Sequence, residues 1–175
     1  MKPADIKLMC PPAFAFCKKP YSDGMQTYSI ETIAEYCQPI IELLNGSAAV
    51  VRVIALHGDL GAGKTTFVQQ LGQQLGVTDP ITSPTFGILA RYQTTHPTWQ
   101  TLLHMDAYRL ETEAELGPLR FVELLQETNT IFCIEWAERI VTALPAHTTH
   151  LTFSIAEAET RSIQVATHEE WLRAR

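Results

Sequence analysis

From Thr27 onward the apolar positions of this chain fall into a readable order. Between Thr32 and Leu44, the residues Ile33, Ala34, Cys37, Ile40, Ile41 and Leu44 recur at helical spacing, and Asn45-Gly46 supplies a stop. "AVVRVIALHG" (Ala49 to Gly58) is continuous, apolar and β-branched, as expected of a strand covered on both faces. Phe67 to Leu75 reads as a helix ending at Gly76. "FGILARYQ" (Phe86 to Gln93) and "TLLHMD" (Thr101 to Asp106) predict two strands with a turn around His96-Pro97. Leu116 to Glu127 predicts a helix, and "TIFCIEW" (Thr130 to Trp136) a short apolar strand. "HLTFSI" and "RSIQVAT" alternate apolar and polar residues on either side of "AEAET", the pattern of a closing antiparallel hairpin, and "EEWLRAR" predicts a short last helix. Strand, glycine-rich loop, helix, then further strands and helices point to an α/β three-layer sandwich. Its central sheet is expected to be mixed and mostly parallel, with the 86–106 and 147–167 pairs closed as hairpins.

The residues before this regular region differ in character. Through about Met25 the chain carries Pro3, Pro11, Pro12 and Pro20 without clear periodicity, so residues 1–26 read as a poorly ordered extension and 27–175 as a single domain. The patch "LMCPPAFAFC" is short, broken by a proline pair and lacks the small-residue cleavage site of a signal peptide. A length of 175 residues suits one domain with a real core. The formal charge of −6, from 13 Lys+Arg against 19 Asp+Glu, argues against a stand-alone nucleic-acid binder, which needs clustered cations. No apolar run reaches membrane-spanning length. Cys10, Cys17, Cys37 and Cys133 show no metal-ligand spacing, and Cys133 reads as a core filler, so the expectation is a reduced, cytoplasmic protein without a membrane contact.

The chemistry concentrates at "GDLGAGKT" (Gly58 to Thr65), which fits G-x-x-x-x-G-K-[ST] at every position, directly after an apolar strand and before a helix. Gly58, Gly61 and Gly63 let the backbone curl so that successive N–H groups face one point, and the following helix adds its positive dipole end there. Lys64 is expected to reach the β- and γ-phosphates, and the Thr65 hydroxyl to ligate Mg²⁺. The fold thereby becomes P-loop NTPase-like, and the ligand a nucleoside triphosphate.

Such a loop needs an acidic partner at the end of a neighbouring strand. Glu135 closes "IFCIE" in that position, and Asp106 closes "LLHMD" in the same manner. One carboxylate would hold Mg²⁺ while the other orients the attacking water or accepts its proton, and the residues alone do not say which does which. "TSPTF" (Thr82 to Phe86) offers hydroxyls just before a strand, either as a γ-phosphate-sensing loop or as a plain turn.

Taken in order, "GDLGAGKTTF", "ITSPTF", "LLHMDAYRL", "EAELGPLRFVELL" and "CIEWAERI" resemble the TsaE (YjeE) family, the P-loop ATPase of bacterial tRNA threonylcarbamoyladenosine biosynthesis. The resemblance covers Thr27 to the C-terminus. It implies that Gly61, Ala62, Gly63, Lys64, Thr65 and Thr66 cradle the phosphates of ATP, with Lys64 also serving catalysis on the γ-phosphate side. It further implies Thr65 and Glu135 as Mg²⁺ ligands, Asp106 as the catalytic aspartate, and Thr85 as part of a switch-like Ser-Pro-Thr loop. Ser29 and Thr32 fall where members use an N-terminal segment against the nucleotide, though matching there is loose. The extension before Met25, and Met105 and Ala107 beside the aspartate, depart from the usual pattern. The implied partners are TsaB and TsaD homologues: ATP hydrolysis would drive the cycle of a complex that meets tRNA only through those subunits. A small P-loop kinase is the alternative. Against it, Arg52, Arg91, Arg109, Arg120 and Arg139 are scattered and not gathered into a lid.

Overall fold

The computed structural model describes residues 26–28, 32–45, 51–155 and 160–175. The expected N-terminal extension up to residue 25, Cys10, Cys17 and Ser29 lie outside the described residues. Among the described residues there are seven strands: β1 (Gln26–Tyr28), β2 (Val51–His57), β3 (Leu89–Gln93), β4 (Thr101–Asp106), β5 (Thr130–Glu135), β6 (Thr149–Ile155) and β7 (Arg161–Thr167). They form one sheet in the order β1-β7-β6-β2-β5-β4-β3. The central pairs β6/β2, β2/β5 and β5/β4 are parallel, while β3/β4, β6/β7 and β1/β7 are antiparallel. Both predicted hairpins are therefore present. The strand β1 had no counterpart in the pattern reading.

Helices α1 (Ala34–Asn45) and α2 (Lys64–Gln74) cover one face of the sheet. Their apolar sides, including Cys37, Ile41, Phe67 and Leu71, pack on Ile54, Leu56, Ile131 and Cys133. The opposite face carries Val51, Val53, Ala55, Leu103, Phe132 and Ile134 under the short segments Glu113–Leu116, α3 (Phe121–Leu124) and Ala137–Ala143. Every residue of β2 is buried, as a strand sandwiched between two layers requires. Cys133 is a core residue, and burial pushes its thiol well above the usual range.

Three predicted elements need correction. The helix expected over 116–127 is two short pieces, a 3-10 turn at Glu113–Leu116 and the four-residue α3. Gly117-Pro118 interrupts it: proline lacks the N–H a helix needs, and Arg120 turns to the left-handed φ of 53°. The apolar spacing survives, because Leu116, Phe121 and Leu124 still reach the core. Strand β3 begins at Leu89 instead of Phe86, since Ile88 adopts φ 64° and its N–H returns to the Pro84 carbonyl at 2.6 Å. Helix α2 begins at Lys64, three residues before the pattern suggested, because Lys64, Thr65 and Thr66 follow directly from the loop. The short last helix is present as α4 (His168–Arg173), opened by a reciprocal pair of hydrogen bonds between Thr167 and Glu170.

Gly58 joins β2 to the loop at φ 127°, and a Cβ there would stand 2.2 Å from the Phe153 carbonyl oxygen on β6. Gly61, at φ 78°, has nothing within 4 Å of such an atom. Gly58→Ala is expected to destabilise by about 3 kcal/mol, combining overpacking with backbone strain, and Gly61→Ala by about 1 kcal/mol from the backbone alone. Chemical denaturation of the two variants beside the parent checks the ranking.

Candidate functional site

The parallel register places the site. Leu56 is paired with Glu135, and Glu135 with Asp106, so the ends of β2, β5 and β4 lie side by side where the loop 58–63 leaves the sheet. The loop turns through positive φ at Gly58, Gly61 and Gly63, the last being the residue that opens α2. No side-chain hydrogen bond caps α2, and the first turn of a helix leaves amides unpaired. Ala62 is fully buried beneath the loop and its amide closes a turn on the Asp59 carbonyl at 3.2 Å.

Lys64 curls back over its own loop. Its ammonium donates to the carbonyls of Gly58 (2.5 Å) and Asp59 (2.9 Å) and sits 4.2 Å from the centre of the Trp136 ring. Burial lowers its pKa, while Glu135, Glu138, Asp106 and Asp59 act in the opposite sense. Four carboxylates thus act electrostatically on one buried cation. Trp136, immediately after Glu135, itself adopts the left-handed φ of 56°.

The Thr65 hydroxyl donates to Glu135 Oε1 at 2.7 Å, and His104 Nε2 lies 2.8 Å from the same oxygen. Glu135 and His104 are buried. His104 sits two residues before Asp106 on β4, on the same face of the strand. Among the described residues no group of three or more His, Cys, Asp or Glu could hold a metal ion by itself. A hydroxyl beside a carboxylate is instead a partial set of hard oxygen donors, which fits Mg²⁺ completed by phosphate and water.

Asp106 is also enclosed. Its Oδ2 accepts from Thr85 Oγ1 at 2.6 Å and from Ser83 at 3.4 Å, and its Oδ1 accepts from the Tyr108 amide at 2.9 Å. The Asp106 amide donates to Ile88 O, so the strained residue at the end of the Ser-Pro-Thr loop is tied to the same strand end. The structure therefore gathers Lys64, Thr65, Glu135, Asp106 and Thr85 around the loop. Thr66 lies on the first turn of α2. Thr32 lies at the turn opening α1, where the Ala34 carbonyl accepts from Gln74 on the last turn of α2.

The sequence reading missed a second polar cluster behind the loop. His57 Nδ1 lies 2.9 Å from Glu138 Oε2, His57 Nε2 2.8 Å from His150 Nδ1, and His150 Nε2 2.9 Å from His168 Nδ1. Trp171 stacks on both His57 and His150. Burial, with His57, His168 and Arg175 nearby, pushes the His150 pKa down to about 3.

Comparison with known proteins agrees with this architecture. The family model described as "Threonylcarbamoyl adenosine biosynthesis protein TsaE" matches residues 27–163. The tRNA threonylcarbamoyladenosine biosynthesis protein TsaE of Treponema pallidum is 39% identical over 114 residues, covering 65% of this chain and 81% of that protein. The protein of the same name from Bacillus subtilis is 35% identical over 130 residues, covering 74% and 78%. That of Rickettsia bellii is 31% identical over 141 residues, covering 78% and 94%. Among solved structures, the crystal structure of Bacillus subtilis YdiB matches with a TM-score of 0.60 at 25% identity, over 87% of this chain and 93% of that one.

Two stability predictions follow from the buried histidines. His150 is held neutral in the fold, below its unfolded pKa of about 6.5. The unfolded chain then binds the extra proton first, so this contribution is complete above about pH 6.5 and is lost as the pH falls toward 3. His150→Asn should flatten the acid side of a denaturation-versus-pH curve by up to about 1.4 kcal/mol per pH unit. His104→Leu removes one of two hydrogen bonds to a buried carboxylate oxygen and should cost about 1–3 kcal/mol in the same assay at neutral pH.

Proposed function

The chain belongs to the TsaE family of threonylcarbamoyladenosine biosynthesis proteins, and from that premise we propose that it is a Mg²⁺-dependent ATPase serving the tRNA-modifying complex of that pathway. The observation that carries this reading is the contact between Thr65 and Glu135 beside an uncapped helix start, with Asp106 one register pair away. In this reading, loop amides from Gly61 to Thr66 bind the polyphosphate. The Lys64 ammonium exchanges the Gly58 and Asp59 carbonyls for phosphate oxygens. Thr65 and Glu135, already in contact, would hold Mg²⁺, and the ion when bound would supply charge to offset that developing on the phosphoryl oxygens. Asp106 orients the attacking water and accepts its proton, and Thr85, already bonded to Asp106, senses the γ-phosphate.

The partners proposed are TsaB and TsaD homologues, with tRNA reached only through them. Two observations support a partner-borne role. The net charge is −6, unsuited to gripping tRNA alone. Leu60 in the loop, Phe86 at the end of the Ser-Pro-Thr segment and Tyr108 beside Asp106 are exposed, and exposed apolar side chains next to a site suit a surface that another protein covers. Of the scattered arginines, Arg52 bonds the Leu44 carbonyl, Arg91 Glu127 and Arg120 Glu123, while Arg109 and Arg139 lie over the Phe86 and Tyr108 rings. Two arginines spread over aromatic rings fall short of the arginine-rich lid a kinase would need.

Lys64→Ala is expected to abolish tight ATP binding in titration calorimetry, because the β/γ charge loses its point cation. Asp106→Ala should leave binding largely intact while phosphate release falls by about 10²–10⁴-fold. Glu135→Ala should shift the Mg²⁺ dependence of hydrolysis to higher metal concentration. Phosphate release measured with and without TsaB and TsaD homologues tests the assembly. A phosphorylated acceptor in place of free phosphate would establish the kinase reading instead.

A further inference from the structure

His104 is an odd occupant of the layer in which it stands. It is fully buried, opposite Cys133 in the register, on the sheet face that also carries Leu102 and Ile131. Its Nδ1 is enclosed and has no hydrogen-bond partner among the described residues. An unpaired nitrogen in an apolar layer is destabilising, and a leucine there would avoid that cost. The ring has one polar contact among the described residues: Nε2 donates to Glu135 Oε1 at 2.8 Å.

That contact divides the two oxygens of Glu135. Oε1 takes both donors, the Thr65 hydroxyl from α2 and His104 Nε2 from β4, while Oε2 accepts none among the described residues. Unlike the His104 nitrogen, Oε2 is not sealed from solvent. The terminal torsion of a glutamate is broad, so a single donor lets the carboxylate turn about it. Two donors that reach one oxygen from different elements fix the turn and decide which oxygen stays open. Thr65 is a poor anchor by itself, because its hydroxyl rotates and its own oxygen is a candidate metal ligand. His104 is enclosed on every side and has no such second task.

We propose that His104 is a positioning residue for the metal site: it holds Glu135 Oε1 against Thr65 and so keeps Oε2 free for Mg²⁺ or a water bound to it. This rests on the nucleotide reading above and adds a residue that reading does not use. The contribution of His104 is to order a ligand in advance, as hydrogen-bond partners behind metal-binding carboxylates do. Its loss therefore weakens the hold on the metal. The grip of the loop amides and Lys64 on the phosphates stays as it was.

The test is titration calorimetry of the full chain with a non-hydrolysable ATP analogue, in EDTA and at rising Mg²⁺. The readout is the gain in affinity that Mg²⁺ confers, so no turnover is needed. Two variants of equal polarity and different reach are compared: a glutamine carries an amide N–H to about the place of the imidazole Nε2, and an asparagine stops short of it. His104→Asn should lower the Mg²⁺ gain by about 10-fold while affinity in EDTA stays at the parent's value. His104→Gln should restore the gain, a rescue that a merely structural role would not produce. A full gain in His104→Asn would overturn the proposal. So would an equal loss of affinity in EDTA and in Mg²⁺, which would make His104 a support of the loop as a whole. A gain lost alike in both variants would also overturn it, since the donor would then not matter. A parent that binds the analogue without any gain from Mg²⁺ would remove the metal role of Glu135 and this proposal with it. A parent that gives no binding heat would overturn the nucleotide reading itself.

Discussion

One carboxylate oxygen organises this protein. Glu135 Oε1 lies within hydrogen-bond distance of both the Thr65 hydroxyl, on the first turn of α2, and the imidazole of His104, on the neighbouring strand. The contact joins the helix that follows the phosphate loop to the sheet that supports it. It depends on the parallel register that sets Leu56, Glu135 and Asp106 in one row. A slip of one residue along β5 would turn Glu135 to the opposite face and leave both donors facing hydrocarbon. Buried at this position, the carboxylate would be costly without those donors, and with them it is held in a single orientation.

Around that oxygen the backbone stores strain in two non-glycine residues. Ile88 and Trp136 both adopt left-handed φ, one closing the Ser-Pro-Thr loop and the other following Glu135. A β-branched or aromatic side chain there costs on the order of 1–3 kcal/mol and persists only where neighbours hold it. For Ile88 those neighbours are the Asp106 amide and the Pro84 carbonyl, and for Trp136 the contacts of its ring with the Lys64 ammonium and Tyr108. The strained positions thus flank the two carboxylates of the site.

The loop was legible in the sequence because its chemistry is local: three glycines, a lysine and a threonine at fixed spacing specify their own geometry. Glu135 and Asp106 were legible as the polar ends of apolar strands, and the register then proved them neighbours. The 116–127 helix misled because apolar spacing records burial, and two short turns on either side of Gly117-Pro118 bury the same residues. The histidine file was not legible at all. Residues 57, 138, 150 and 168 share no local spacing. They meet because β6 pairs with β2 and α4 folds back over both. His104 stood in plain view two residues before Asp106, but its partner lies 31 positions away.

Strand β3 closes the sheet order on the β4 side, and its outer backbone groups are the kind on which another chain could add a strand. It is five residues long, is entered through the left-handed Ile88, and carries Arg91 paired with Glu127 midway along. Brevity, a bent approach and a charge at its centre all discourage edge-to-edge aggregation. The same twist at Ile88 that ties the Ser-Pro-Thr loop to the site thereby helps keep this open-sided sheet from polymerising.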